Sequence, residues 1–493
     1  MKHFCEFEGL ELLRRRSGRV LAPVLLLSAV LPLASAQDAA MVTRPPNVVI
    51  VTLDAVRADF IGCYGGPADV LTPNLDALAE DGVRFARCSA ASGNTTSSHA
   101  SILTGLYPFQ HGLRVCYADS GFRLGDDVPF LPAHLAEMGY DTAAFIGSFA
   151  TSDYYRFDRG FDRFDDGMVV SDMDLAMKGA PGRVYGWYRA SYQRRSDFTT
   201  EAVLGWLQGR EEATPFLLWV HYWDPQEFHD AEAITFPRRS FIHRYRRRAP
   251  ARQLERPRMM YGCEVSFVDQ QIGRLVEWLR EAGAYDNTLL LVVGAGGKGN
   301  GDHDWPDQEL LYEEQLHVPL LIRGPGWQRG VVVDELTRTI DVFPTVLRQL
   351  NETPPPESLG QPLQAMVGAA ETPPRAAYAE SLGTYDFTSW LSRRRPDDAH
   401  LYSITSGLWK LIHHPDAGDR DELYHLGDDP GETKNRYSDE EEIASRLREQ
   451  LDALGAFRTA PFPAVGESAD GDAETSPGPA PLGESKGAGD RRP

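Results

Sequence analysis

Residues 47–66 read NVVIVTLDAVRADFIGCYGG, and the stretch from Asn47 to Leu53 is a continuous apolar run that ends on the acid Asp54. A strand with one wet face alternates apolar and polar residues. A continuous run is covered on both faces, as in a parallel sheet sandwiched between helices. Pro45 and Pro46 mark its start. Runs of the same kind recur at Thr142–Ile146, Phe216–Val220, Thr288–Val293 and Pro319–Ile322, with amphipathic helical patterns between them at Leu75–Glu80, Pro132–Glu137 and Glu264–Arg280. Strands alternating with helices predict an α/β fold: a large domain over residues 46–350, with a mostly parallel central sheet flanked by helices.

The composition changes at Pro354-Pro355-Pro356. Short strand-like runs at Ala376–Ala379, Leu401–Thr405 and Trp409–Ile412 then precede a helical pattern at Glu441–Leu454. They predict a smaller C-terminal α+β domain with an antiparallel sheet over residues 357–460. Residues 464–493 are Gly, Ser, Pro, Glu and Asp with almost no large apolar side chain, a composition expected to form a disordered tail. At the other end, Arg14, Arg15, Arg16 and Arg19 precede the apolar run Val20–Leu33 and the small residues Ala34-Ser35-Ala36. Residues 1–36 are therefore expected to be a secretory signal peptide. The expected location is exported, periplasmic or extracellular, with no stable membrane span after cleavage.

Over 493 residues, 42% of them hydrophobic, the chain can bury a large core. Its net charge of −21 repels a polyanion, so no nucleic-acid partner is expected. Cys63, Cys88, Cys116 and Cys263 lack C-x-x-C spacing, so they give no zinc-cluster signal, and they read either as small buried residues or as one or two disulfides formed after export.

The run at 288–293 leads into LLLVVGAGGKGNGDHDW (residues 289–305), where Gly294, Gly296 and Gly299 spell G-x-G-x-x-G. A dinucleotide fingerprint opens directly into a helix. Here the glycines are followed by Asn300, Asp302, His303, Asp304 and Pro306, which argues against a nucleotide site. The Arg-rich segment from Arg238 to Arg258 could hold an anionic glycan through charge-assisted bonds or could be solvated surface.

The stretch from Asn47, together with TPNLDALAEDGVRFARCSAASGNTTSSHASILTGLYPFQHG (72–112), PFLLWVHYWDP (215–225), YGCEVSFVDQQIGRL (261–275), LYEEQLHVPLLIRGPG (311–326), TIDVFPTVL (339–347), LWKLIHHP and ELYHLGDDPGETKN (within 408–435), resembles the sulfatase family of the alkaline phosphatase superfamily. The resemblance implies a sulfuric ester hydrolase. In the family, a Cys or Ser in a C/S-x-P-S-R segment becomes formylglycine, whose hydrate attacks sulfur while a divalent metal, usually calcium, offsets the ester's negative charge.

Carried over position by position, the first metal ligand is Asp54, with Ala55 where a second acid often stands. The formylglycine position falls on Thr95, followed by Ser97, Ser98 and His99 in place of the proline, serine and arginine. Threonine is not converted to formylglycine by the usual route. A threonine nucleophile is known in the wider superfamily, whereas Asn94, Thr95 and Thr96 also read as caps of a short helix at Ser97–Leu103. The later Asp and His ligands align with Ala295 and Gly296, and Lys298 stands where relatives carry an acid. His221 matches a family histidine thought to contact the sulfate or leaving group, Gln226 replaces another histidine, and His317 and Ser148 lie near usual cationic positions. A shifted metal could use Asp302 or Asp304 with Asp54, or the two acids could be solvated turn residues. The expectation is an exported protein inactive by the standard mechanism that holds a sulfated or anionic carbohydrate or a small ester, with a divalent metal or none. The alternative is an active sulfate or phosphate ester hydrolase using Thr95 and a depleted or shifted metal site, with Thr95, His99 and His221 as the catalytic candidates and Asp54, Asp302 and Asp304 as the metal candidates.

Overall fold

The computed structural model describes residues 44–116, 123–167, 193–210, 214–227, 256–369, 374–383, 391 and 394–456. The expected signal peptide, the expected tail and most of the Arg238–Arg258 segment lie outside them. At the centre of a nine-stranded sheet stands β1 (Asn47–Leu53), whose seven residues are all buried. Parallel neighbours flank it, β5 (Phe216–Tyr222) and β6 (Thr288–Gly294). Outside β5 lie β3 (Asp141–Phe145) and β4 (Arg163–Asp165), both parallel. On the other side come β8 (Leu320–Arg323), β2 (Val83–Ser89) and β7 (His317–Val318), with β9 (Val331–Arg338) pairing parallel to β2. The β6–β8, β2–β8 and β2–β7 pairings are antiparallel, so the sheet is mixed.

Residues of β1 point alternately into two cores, which explains why the run has no polar face. Val48 and Ile50 pack with Trp219, Leu289 and Leu291, while Val49, Val51 and Leu53 pack with Leu218, Val220 and Leu290. The second core is closed by α5 (Arg256–Glu281) through Val265, Val268, Ile272 and Leu275. The other helices that matter below are α1 (Pro73–Glu80), α2 (Thr95–Thr104), α3 (Leu131–Glu137), α4 (Ser196–Gly209), α6 (Val342–Gln349) and α7 (Glu441–Leu454). Among the described residues no helix is long and apolar enough to cross a membrane.

The C-terminal sheet is antiparallel, in the order β10 (Ala376–Ser381), β11 (Leu401–Ser406), β12 (Trp409–His413) and β13 (Glu422–His425). Helix α7 buries Ala444, Leu447 and Leu451 in the core that this sheet shares with α2 and α6.

The glycines after β6 have a packing reason. A methyl group at Gly297 would lie 2.1 Å from the Glu314 carbonyl oxygen, and one at Gly299 would lie 2.2 Å from that of Trp305. Their amides are committed as well: Ala295, Gly297 and Gly299 donate to the carbonyls of Leu53, Gln315 and Asp307 at 2.9, 2.8 and 3.0 Å. No row of free N–H groups is left to cradle a phosphate at these positions. Replacing Gly297 with Ala is expected to cost about 3 kcal/mol in urea unfolding, because a backbone carbonyl must move to admit the new carbon.

Candidate active site

Because β1, β5 and β6 run parallel, their C-terminal ends meet at one edge, and Asp54, His221 and Ala295 meet with them. Asp54 is fully buried. Its carboxylate accepts from the Ala55 amide at 3.0 Å, from the Thr95 hydroxyl at 2.9 and 3.1 Å and from Gln308 Nε2 at 3.4 Å. Burial alone would push this carboxyl up, but the neighbouring imidazoles of His221 and His99, with the Thr95 hydroxyl, hold it below the usual carboxylate range. Ala55 takes a left-handed backbone (φ 54°), and its carbonyl accepts from the Tyr261 hydroxyl at 2.6 Å. That hydroxyl also accepts from the Arg57 amide at 2.9 Å, so α5 pins the turn that aims Asp54.

Helix α2 begins two residues earlier than the sequence predicts, and its cap is Asn94, whose side chain accepts from the Ser97 amide at 3.2 Å. Capping by Asn94 leaves the Thr95 hydroxyl for Asp54; Thr95 is the first helical residue rather than a cap. One turn on, His99 turns Nδ1 to the Thr95 carbonyl at 2.7 Å. Burial, then the neighbouring His221, push His99 down to about 3, so the ring is neutral and does not supply the cation of the arginine it replaces.

His221 turns Nδ1 to the Thr151 hydroxyl at 2.9 Å, and its Nε2 lies 3.9 Å from Asp54 Oδ2. The two imidazoles meet edge to face, ring centres 4.5 Å apart. The Nε2 atoms of both are buried without a hydrogen-bond partner. Buried polar atoms of this kind call for a water or a ligand atom.

The other sequence candidates go elsewhere. Asp302 is held by Arg57 at 2.6 Å and by Arg258 at 3.2 Å, and Asp304 is exposed on a left-handed backbone (φ 55°). Asp54 therefore has its own partners and Asp302 has others. Among the described residues no group of three or more His, Cys, Asp or Glu is placed to hold a metal ion. His317 gives Nε2 to the Ala86 carbonyl at 2.8 Å, and Ser148 accepts from the Ala150 amide at 3.1 Å, so neither is set as an anion clamp.

The donor set around Asp54 does not fit the calcium that the family resemblance implies. Calcium takes six to eight oxygens, several of them anionic. Here one carboxylate is joined by a hydroxyl and an amide, with Ala295 and Gly296 contributing no side-chain donor. Gln308 was not anticipated: it follows Asp307 in an unremarkable loop, and no motif or spacing marks it. Lys298, a cation in an acid's place, is fully buried, donates to the Gln226 carbonyl and lies 3.8 Å from Asp307.

The layered sheet and the cluster at its carboxyl edge define an alkaline phosphatase superfamily fold. The sulfatase family model matches residues 46–352, more than half of the chain, and the model of the N-sulphoglucosamine sulphohydrolase C-terminal region matches residues 301–456. The chain belongs to the sulfatase family. It is 25% identical to an N-acetylglucosamine-6-O-sulfatase of Bacteroides thetaiotaomicron, the match covering 87% of this chain and 89% of that one. It is also 25% identical to a choline-sulfatase of Rhizobium meliloti, over 85% and 86% of the two chains. Among solved structures, one in complex with its substrate D-glucosamine-2-N,6-O-disulfate superposes with a TM-score of 0.65 at 20% identity, covering 85% of this chain and 99% of that one. A phosphonate monoester hydrolase of Agrobacterium radiobacter superposes with a TM-score of 0.64 at 23% identity, over 84% and 95%.

Proposed function

We propose that this sulfatase-family protein is exported, binds a sulfated or otherwise anionic carbohydrate, and does not hydrolyse it by the family's formylglycine and metal route. One observation carries the reading: Asp54 is saturated by Thr95, Ala55 and Gln308, protein donors occupying the place of a cation. The unpartnered Nε2 of His99, beside Thr95, supports binding: its Nδ1 faces a carbonyl, so in the neutral ring Nε2 is an acceptor for a sugar hydroxyl or a water rather than for a sulfate oxygen. The N-acetylglucosamine-6-O-sulfatase and the structure in complex with D-glucosamine-2-N,6-O-disulfate support the choice of ligand class.

A second reading has its own observation, the Thr95 hydroxyl 2.9 Å from Asp54 Oδ2. In it Asp54 accepts the hydroxyl proton as Oγ1 attacks the sulfur or phosphorus, the ester S–O or P–O bond breaks, the sulfo or phosphoryl group passes to Thr95, and the departing alkoxide takes a proton from water. Against it stand the lowered basicity of Asp54 and the neutral His99, which leaves the developing negative charge without that residue's compensation.

The test is calorimetric titration of the full chain, kept in EDTA, with D-glucosamine-2-N,6-O-disulfate and with glucosamine. Saturable binding of the sulfated sugar alone is expected, and its absence overturns the reading. Turnover of p-nitrophenyl sulfate and bis-p-nitrophenyl phosphate is expected to be equal in the wild type and Thr95→Ala. A turnover that vanishes in the variant establishes the second reading instead.

A further inference from the structure

The positions that depart from the family pattern are connected to one another. Gln226 donates from Nε2 to Asp307 Oδ1 at 3.2 Å, and its carbonyl accepts from the Lys298 ammonium, which also faces Asp307. Asp307 immediately precedes Gln308, and the Gly299 amide bonds the Asp307 carbonyl at 3.0 Å. Asp307, the residue before Gln308, is thereby held through both its side chain and its backbone carbonyl, which fixes where the Gln308 side chain starts. Its Nε2 reaches Asp54 at 3.4 Å, its Oε1 lies 3.4 Å from the Thr95 hydroxyl, and a carbon built on Gly296 would lie 3.6 Å from that Nε2.

We infer that the Gln308 carboxamide is a built-in occupant of the space between Asp54, Thr95 and Gly296, taking the place of a divalent cation and held there by Lys298, Gln226 and Asp307. The amide meets the same carboxylate that a cation would need, and it does so without charge. Its N–H points at Asp54 Oδ1, so the lone pair a cation would use is already engaged. A histidine at position 296 would have to grow into this space, and its first carbon would stand 3.1 Å from the Gly93 carbonyl. Glycine at 296 and glutamine at 308 are thus complementary: the first withdraws a side chain and the second fills what is left.

This inference rests on the reading above and deepens it, yet the two fail separately. Sugar binding is measured in EDTA and metal binding without sugar. For the second measurement, EDTA-stripped full chain is dialysed free of chelator and melted across a calcium series, with manganese and magnesium in parallel and calorimetry alongside. The wild type is expected to melt at one temperature throughout and to show no saturable heat. Gln308→Glu keeps the shape but sets a second carboxylate against Asp54, and its melting temperature is expected to climb with calcium as ligand linkage requires. Wild-type calcium binding that disappears in Asp54→Asn overturns the inference. So does a folded Gln308→Glu that ignores all three ions, or one that calcium fails to rescue if it cannot be purified without metal.

Discussion

Lys410→Met is expected to lose about 3–5 kcal/mol of stability in urea unfolding, a large fraction of the total for a domain of this kind. Lys410 lies on β12 with no exposed surface, and its ammonium sits 3.0 Å from Glu313 and 2.9 Å from Glu432. Burial alone would push the ammonium down, and the two carboxylates hold it above the ordinary lysine value. Glu432 is shifted upward by burial and by Glu313, while Lys410 draws it back. Its second oxygen accepts the Glu313 amide, and its backbone carbonyl faces His303 Nε2 at 3.2 Å. One cation therefore joins the loop after β13 to the short helix Glu313–Leu316 that leads into β7. Its removal leaves the buried Glu432 facing the partly exposed Glu313 with no cation between them, and that residue of charge, rather than the lost bonds alone, makes the effect large. Adding Glu432→Gln to Lys410→Met is expected to recover much of the loss. A double variant no more stable than the single one would show that the charges are not what matters.

The same chemistry explains which parts of the fold were legible in the sequence. Strands β1, β5 and β6 announce themselves because both faces are buried, which leaves long apolar runs with a single interpretation. Strands β2 and β9 do not, since Arg84 and Arg87 interrupt one and Asp334 and Glu335 the other, on faces only partly covered. Strand β8 was visible as a run, but a run carries no direction, and its antiparallel pairing follows from where the chain turns after β6. Helix α7 matched its predicted span because its apolar spacing faces one core and polar residues cover the rest. At the site, Asp54, Thr95 and His221 were reachable because each ends or begins an element within a family motif. Asp302 and Asp304 lie in the same loop as Gln308, yet the loop turns Asp302 toward Arg57 and leaves Asp304 in solvent. Gln308 meets Asp54 across 254 residues of chain, and only the fold brings them together.

Asp54→Ala is expected to destabilise the metal-free protein by about 3 kcal/mol, from the donors it leaves unpaired and the volume it vacates. The sign is the informative part. In a site built from several carboxylates for a cation, deleting one in the absence of metal relieves repulsion and raises stability. Here a single carboxylate accepts from the Thr95 hydroxyl, the Ala55 amide and the Gln308 amide, with the His221 ring edge 3.9 Å away. Its acidity, held below the usual range despite complete burial, says that the folded surroundings favour the charged form over water. Each buried donor left without an acceptor adds its own desolvation penalty. Urea unfolding in EDTA, with Thr95→Val and the Asp54→Ala/Thr95→Val double variant completing a cycle, measures the coupling directly. A coupling near 2 kcal/mol, about what a charge-assisted bond contributes, is the expected value. Stabilisation by Asp54→Ala would mean that the carboxylate is still waiting for a cation, and the amide of Gln308 could not then be its replacement.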